Sequence, residues 1–197
     1  MTLPIALGFA HNYEIELLDE LPQPSDGEPI LYYPGASSHG RDGLLIRVVP
    51  KEGKSWVGVF AFGAQTGEGF SGIFSCPEPN ELCVVASWLG VIVRADDPKR
   101  YQALKIFPIT DLRQSIDDGL LLFADNTTIA AWGRHGLAWW TQRLGWDGVE
   151  IQDVSSHRLT GRGWSPVISA HVPFEVNLAD GTHTGGTRPE DYRGSRT

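Results

Sequence analysis

The segment GLLLFADNTTIAAWGRHGLAWWTQRL, residues 119–144, holds the pattern that decides the fold class. Apolar runs rich in β-branched and aromatic residues alternate there with short polar turns, at Asp125-Asn126 and at Arg134-His135-Gly136. Such runs, bounded by turn residues, are typical of strands joined in hairpins. We therefore predict antiparallel strands, because connections this short cannot return the chain for parallel pairing.

The same pattern recurs along most of the chain, so we predict an all-β, mainly antiparallel fold. The candidate strands include YEIELL, LLIRVV, WVGVFAF, GVIVRA, VEIQDV and PFEVNL. Two segments instead favour short helices. DDPKRYQALKIF (96–107) offers Asp97 as N-cap before Pro98, and TDLRQSIDDG (110–119) offers Thr110 as N-cap and Gly119 as a stop.

The length and composition predict one β domain over residues 1–186 and a polar C-terminal tail over 187–197. A chain of 197 residues with 41% hydrophobic residues can bury a sizeable core without disulfides or metals. The tail, TRPEDYRGSRT, contains one aromatic residue and no aliphatic one. A β-sandwich or barrel is the main alternative to an architecture of repeated hairpins.

A repeat is visible when GIFSCPEPNELCVVASWLGVIVRADD (72–97) is set against residues 119–144, at an offset of 47. In each segment a strand ends at a tryptophan, Trp88 or Trp132, and a glycine follows before a second apolar strand. A period in the forties is that of β-propeller blades. The segment VPFEVNLADGTHTGG (172–186) resembles the closing strand and turn of a quinoprotein-type blade. Residues 119–186 also resemble uncharacterised bacterial all-β proteins, a likeness that implies propeller-like hairpin repeats and no activity.

The charge and the apolar runs exclude two classes of partner. A formal net charge of −8 argues against nucleic acid and against an anionic membrane, since both require a basic surface. The most apolar uncharged run, residues 82–93, is shorter than the roughly 18 residues of a membrane-spanning helix. The two cysteines, Cys76 and Cys83, fit no zinc motif, and two reduced thiols favour a cytoplasmic protein, although a disulfide between them stays open.

The short motifs assign no cofactor and no metal. GEGFSG (67–72) matches the spacing of a dinucleotide-binding loop, but IFSCPEP follows it and cannot begin the required helix. YPGASSHGRDG (33–43) places Ser37, Ser38 and His39 in one loop without the pattern of a nucleophile elbow, so we interpret it as a polar surface loop. The six histidines are dispersed, with no ligand-spaced pair.

Four of the seven tryptophans lie between Trp132 and Trp146. Successive side chains of a strand point to opposite faces, so Trp139 and Trp140 cannot both enter one core. We expect Leu137 and Thr141 to share the face of Trp139. The tryptophan on the other face lies under a second sheet, at an interface or on a ligand surface.

Three functions follow as hypotheses. The first is a non-catalytic binding module, not an enzyme, whose site is formed by Trp140, the Arg134-His135 turn, Trp146 and Asp147. Its partner is a protein, a second copy of the chain or a small ligand. The second is a hydrolase-type enzyme, which requires a pocket joining a histidine, such as His39 or His135, to an acid. The third is an acidic inhibitor or immunity-type protein that binds a basic partner.

Overall fold

The structure is a computed structural model that describes residues 3–23, 27–35, 42–64 and 68–187. By its internal contacts the chain divides into two compact units, Met1–Phe107 and Pro108–Thr197. In the described residues all regular structure is β, with four open sheets and no barrel. The predicted all-β, mainly antiparallel class is therefore confirmed. The single domain over residues 1–186 stays a prediction.

The first unit contains a five-stranded sheet in the order β1-β6-β7-β8-β9. Only the short β1 pairs in parallel, with β6, and the other pairs are antiparallel. The strands over residues 81–86 and 89–94 are buried on both faces of this sheet. For this reason their sequences are nearly continuous apolar runs and do not alternate between polar and apolar residues. The strands are β1 (Ile5–Ala6), β6 (Gly72–Ser75), β7 (Glu81–Ala86), β8 (Leu89–Arg94) and β9 (Tyr101–Ala103).

The second sheet of this unit has the order β2-β4-β5-β3, with β3 parallel to β5. It packs on the first sheet around a core that includes Trp56, Phe60, Ile46, Leu82 and Val93. The indole Nε1 of Trp56 donates to the carbonyl oxygen of Ala95 at 2.9 Å, which satisfies its buried polar atom. The strands are β2 (Tyr13–Leu18), β3 (Ile30–Tyr33), β4 (Gly43–Pro50) and β5 (Trp56–Ala61).

The second unit consists of two four-stranded antiparallel meanders, β10-β11-β12-β13 and β14-β15-β16-β17. One core joins them, with Leu122, Ile129 and Trp139 from the first meander and Leu159 and Phe174 from the second. The strands are β10 (Asp111–Ser115), β11 (Leu120–Ala124), β12 (Ile129–Gly133), β13 (Gly136–Trp140), β14 (Asp147–Ser155), β15 (Arg158–Ser165), β16 (Ala170–Asn177) and β17 (His183–Gly185).

The sequence repeat corresponds to a repeat of structure. The strands β6, β7 and β8 form an antiparallel meander, and so do β11, β12 and β13. Each strand of the second meander begins 47 or 48 residues after its counterpart in the first. The propeller-like hairpin repeats predicted from the aligned segments are thus present, one copy in each unit.

Neither predicted helix forms. Residues 101–103 are the edge strand β9, and residues 111–115 are β10. The cap signals at Asp97 and Thr110 are local, whereas pairing with β8 and β11 adds a row of backbone hydrogen bonds at each place. Both short helices of the sequence prediction were wrong for this reason.

Several predictions fall on parts of the chain that the structure does not describe. The loop serines and His39 lie outside the described residues, and so do Gly67 and residues 188–197 of the tail. Thr187, the first residue of that tail, is buried and its amide donates to the carbonyl oxygen of Leu144 at 2.9 Å. Cys76 and Cys83 are fully buried free thiols, and no helix in the described residues is long and apolar enough to cross a membrane.

Candidate binding surface

A β-bulge in the hairpin β12–β13 controls which side chains its edge strand exposes. The register pairs Ala130 with Trp140 and Ala131 with Trp139, but it pairs Trp132 with Leu137. Ala138 is therefore the extra residue of the bulge. Because the bulge adds one residue, Leu137 and Trp140 come to lie on the same face of the sheet, and Trp139 lies on the other.

Trp139 belongs to the core of the second unit. The residue is only 9% exposed, and its Nε1 donates to the carbonyl oxygen of Leu178 at 2.8 Å. The turn that follows β16 approaches the indole so closely that a Cβ at Gly181 would lie 2.7 Å from Trp139 Cε3. Gly181 also has φ +73°, a conformation that favours glycine. The indole and this turn are thus fitted to each other.

Trp140 is exposed and rigidly placed. The residue is 40% exposed, and its Nε1 donates to Thr128 Oγ1 at 2.8 Å. The Thr128 hydroxyl in turn donates to Asp125 Oδ2 at 3.0 Å, and the Asp125 carboxylate also accepts from the backbone amides of Thr127 and Thr128. The turn between β11 and β12 therefore fixes the indole nitrogen and leaves the ring available at the surface.

Leu137 extends the exposed apolar area, contrary to the sequence prediction that placed it on the face of Trp139. It is 56% exposed, and it lies two register positions from Trp140, which corresponds to about 7 Å along the strand. The prediction assumed unbroken alternation and could not anticipate the bulge. We call Leu137, Ala138 and Trp140 the β13 surface; all three are exposed.

Arg134 and His135 form the tip of the hairpin, next to Leu137. Both are exposed, and the pair Gly133–Gly136 closes the turn beneath them. Gly136 has φ +105°, which suits it to the turn. The structure therefore places the two predicted polar residues at one end of the β13 surface, with Trp140 at the other end.

Trp146 and Asp147 approach the same region from the following loop. The amide of Leu144 donates to the carbonyl oxygen of Thr127 at 2.8 Å, so this loop lies against the turn that holds Trp140. The guanidinium carbon of Arg143 lies 5.0 Å from the ring centroid of Trp146, a cation–π contact. Trp146 is half-buried, and Asp147 begins β14 as an exposed residue.

The hydrolase hypothesis requires a pocket that contains a histidine and an acid. The described cavities do not have that pair among their described lining residues. Three of them have volumes of about 310, 400 and 350 Å³, and none of the described residues that line them is a histidine. His135 is exposed at the hairpin tip, and within the described ranges no group of three or more His, Cys, Asp or Glu could hold a metal ion.

The closest pairing of a histidine with an acid that the structure shows joins two turns of the second unit. His157 Nδ1 lies 2.5 Å from Asp118 Oδ1, and Ser115 Oγ donates to Asp118 Oδ2 at 2.6 Å. The serine contacts the acid and not the histidine, so the arrangement lacks the base that a nucleophilic serine needs. The imidazole is 76% exposed, and we interpret the pair as a link between two turns.

Comparisons with known proteins assign no family. No protein-family model matches the chain, and no curated protein matches it. Among solved structures, the chain is similar to the N-terminal domain of Nup159 at a TM-score of 0.41 and 10% sequence identity. The match covers 98% of this chain and 56% of that chain. A likeness this distant carries no argument about fold or function.

Sequence reasoning missed an aromatic groove in the first unit, between β3 and β9. Its walls include Tyr32, Tyr33, Lys99 and Tyr101, and its volume is about 350 Å³. The signal was present as PKRYQALK (98–105), a run with three basic residues and no acid, which was interpreted as part of a helix. The pairing of β9 with β8 turns that run into a sheet edge.

Proposed function

We propose that this protein is a non-catalytic binding module that holds a partner protein at the β13 surface. The observation that carries the proposal is the exposure of Leu137 and Trp140 on one face of an edge strand. Exposed apolar groups that lie together and are rimmed by polar residues are typical of interaction surfaces. Tryptophan is also among the residues that contribute most to binding at protein interfaces.

The chemistry of the surface favours a protein over a small ligand. Trp140 lies on an edge strand and lines none of the three cavities described above, which favours a flat contact over an enclosing pocket. The strand β13 pairs with β12 alone among the described strands, which leaves its outer edge for a partner strand. Arg134 and His135 supply a polar rim at one end.

The tethered indole supports the same proposal. Since Trp140 Nε1 already donates to Thr128, a partner covering the ring leaves no indole N–H without an acceptor. The ring is fixed before binding, so little side-chain entropy is lost when the partner docks. The compartment that we propose for this module is the cytoplasm, a proposal that the two buried free thiols support.

The experiment is site-specific photo-crosslinking in extracts of the source organism. We would place p-benzoylphenylalanine at Ala138, between Leu137 and Trp140, and in a matched control at Ile168, an exposed residue of the turn after β15. The expected result is one adduct of defined mass from position 138 that is absent from position 168. The same adduct should disappear when Trp140→Ala is combined with the probe at position 138.

Three outcomes would overturn the proposal. Equal adducts from positions 138 and 168, or adducts from 138 that persist with Trp140→Ala, would show that the β13 surface is not selective. An adduct of twice the chain mass from the purified protein alone would replace the partner by a second copy. Unchanged thermal melting of each variant confirms that the fold is intact.

A further inference from the structure

The groove of the first unit lies between two sheet edges. The edge strand β3 contributes Ile30, Leu31 and Tyr32, and the edge strand β9 begins at Tyr101, on the opposite wall. Among the described strands β9 pairs only with β8, so the backbone groups along its other side are available to a further strand. All three residues of β9 are exposed.

An aromatic stack holds the floor and the far wall of the groove. The ring of Tyr33 stacks on Phe60 with centroids 4.7 Å apart, and it contacts Tyr101 edge-on at 5.1 Å. The hydroxyl of Tyr33 donates to the carbonyl oxygen of Pro98 at 2.7 Å, which fixes the segment that leads into β9. Tyr33 is buried, whereas Tyr101 is 40% exposed and is therefore presented to solvent on a rigid base.

The charge beside the groove is opposite to that of the whole chain. Lys99 lines the groove, and Arg100 and Lys105 flank β9 on either side. None of these three forms an ion pair with another described residue, and all three are exposed. Two acidic residues, Asp96 and Asp97, come before these cations in the sequence. Asp96 forms an ion pair with Arg94 at 2.6 Å, so Asp97 alone is left to offset the charge of the three cations.

We propose that this groove binds an acidic, extended segment of a partner protein. The segment adds to the free edge of β9 as a strand, packs an apolar or aromatic side chain against Tyr101, and directs carboxylates to Lys99 and Arg100. In a chain with net charge −8, unpaired cations at a sheet edge repel basic chains there and attract acidic ones.

A peptide fits these features better than a nucleic acid does. Single-stranded nucleic acid needs a basic track that follows several phosphates, with aromatic faces spaced for successive bases. Here Lys99 is the one basic residue among the described walls, and of the three tyrosines there only Tyr101 is exposed, beside a strand edge that an extended peptide can pair with. The proposal concerns the first unit alone and does not rest on the β13 surface.

The test starts from an unbiased peptide pool. The immobilised full chain is panned against phage that display random dodecapeptides, in parallel with the double variant Lys99→Glu/Arg100→Glu. We expect wild type to enrich acidic peptides in which apolar and acidic residues alternate, and the double variant not to enrich them. The matched control, Lys51→Glu/Lys54→Glu, changes the net charge equally in the turn after β4, away from the groove.

The best peptide then gives the quantitative result. Its Kd should rise about tenfold or more in Lys99→Glu/Arg100→Glu and in Tyr101→Ala, stay within about twofold in the control, and rise with salt. Enrichment of neutral or basic peptides, equal enrichment by the double variant, or tighter binding of labelled oligothymidylate than of the best peptide would overturn the proposal. These results are independent of crosslinking at Ala138, so either proposal can fail alone.

Discussion

Trp139 and Trp140 are neighbours in the sequence, yet their indole N–H groups have acceptors of different kinds. Trp139 donates to a backbone carbonyl inside the core, and Trp140 donates to a threonine hydroxyl at the surface. Loss of the first bond leaves the buried Leu178 carbonyl without that donor, whereas water can replace the second. The two substitutions to phenylalanine therefore have different costs.

We predict that Trp139→Phe lowers the free energy of unfolding by about 2–4 kcal/mol, from lost volume and one unsatisfied carbonyl. Trp140→Phe should lower it by less than about 1 kcal/mol, because the ring lies at the surface and water can replace its hydrogen bond with Thr128. Urea denaturation of both variants measures the difference. Equal losses, or a larger loss for Trp140→Phe, would mean that Trp140 is a core residue.

Alternation along a strand correctly predicts that only one of the two indoles enters a core. The sequence could not show which one, because Leu137, Ala138, Trp139 and Trp140 are all apolar. Both faces of β13 therefore look suited to a core until the neighbouring sheets are known. The position of Leu137 was beyond prediction for another reason. A bulge at Ala138 has no residue signature in LAWW, and it depends on how β12 and β13 register.

Some turns of the second unit favour glycine, and Gly181 is the clearest example. Both Gly181 and Gly119 have positive φ, but a Cβ at Gly181 meets the indole of Trp139 at 2.7 Å and one at Gly119 meets nothing within 4 Å. We predict that Gly119→Ala costs about 1–2 kcal/mol from backbone strain alone. Gly181→Ala should cost clearly more; equal costs in chemical denaturation would contradict the packing of this turn on Trp139.

A charged link between two turns makes the second unit sensitive to pH. The hydrogen bond with Asp118 raises the pKa of His157 above its usual 6.5. Burial acts to raise the pKa of Asp118, but hydrogen bonds from Ser115 and His157 outweigh it and lower that pKa below 3.8. The turn after β10 is thereby attached to the turn between β14 and β15.

The stabilisation by this pair should have a defined pH window. A raised histidine pKa stabilises the fold fully below the unfolded value of 6.5, and the effect is lost as pH rises through the folded pKa. The lowered Asp118 pKa stabilises above 3.8 and is lost as pH falls through the folded value. We predict that His157→Gln is more destabilising near pH 5 than at pH 9; any backbone cost at this position, where φ is +63°, is the same at both pH values. His135→Gln, at the exposed hairpin tip, is the control; a pH-independent difference at His157 would contradict the link.

Short edge strands were the elements that sequence patterns could not identify. The residues of β9 are exposed on all sides, so they show no alternation, and Asp97-Pro98 before them imitates the start of a helix. What makes them a strand is pairing with β8, a contact that no local pattern contains. The same limit hid the aromatic groove, because Tyr33 and Tyr101 are brought together only by the fold.

At the scale of the molecule, each unit is a pair of open sheets around one core. The apolar runs and short turns were enough to predict the class of the fold and the repeat of 47 residues. They did not predict the division of the chain at Phe107 and Pro108. The sequence pattern of an antiparallel meander is the same whichever sheet the meander packs against, so the pattern does not show where one unit ends and the next begins.

Tryptophan fluorescence tests the central claim most directly, namely that Trp140 is the exposed anchor beside a buried Trp139. Emission and acrylamide quenching would be recorded for wild type, Trp140→Phe and Trp139→Phe, with light scattering to give the mass in solution. We predict that the emission lost in Trp140→Phe lies at long wavelength and is readily quenched, and that the emission lost in Trp139→Phe lies at short wavelength and resists quenching. Blue, unquenchable emission from Trp140 in a monomer would contradict the account.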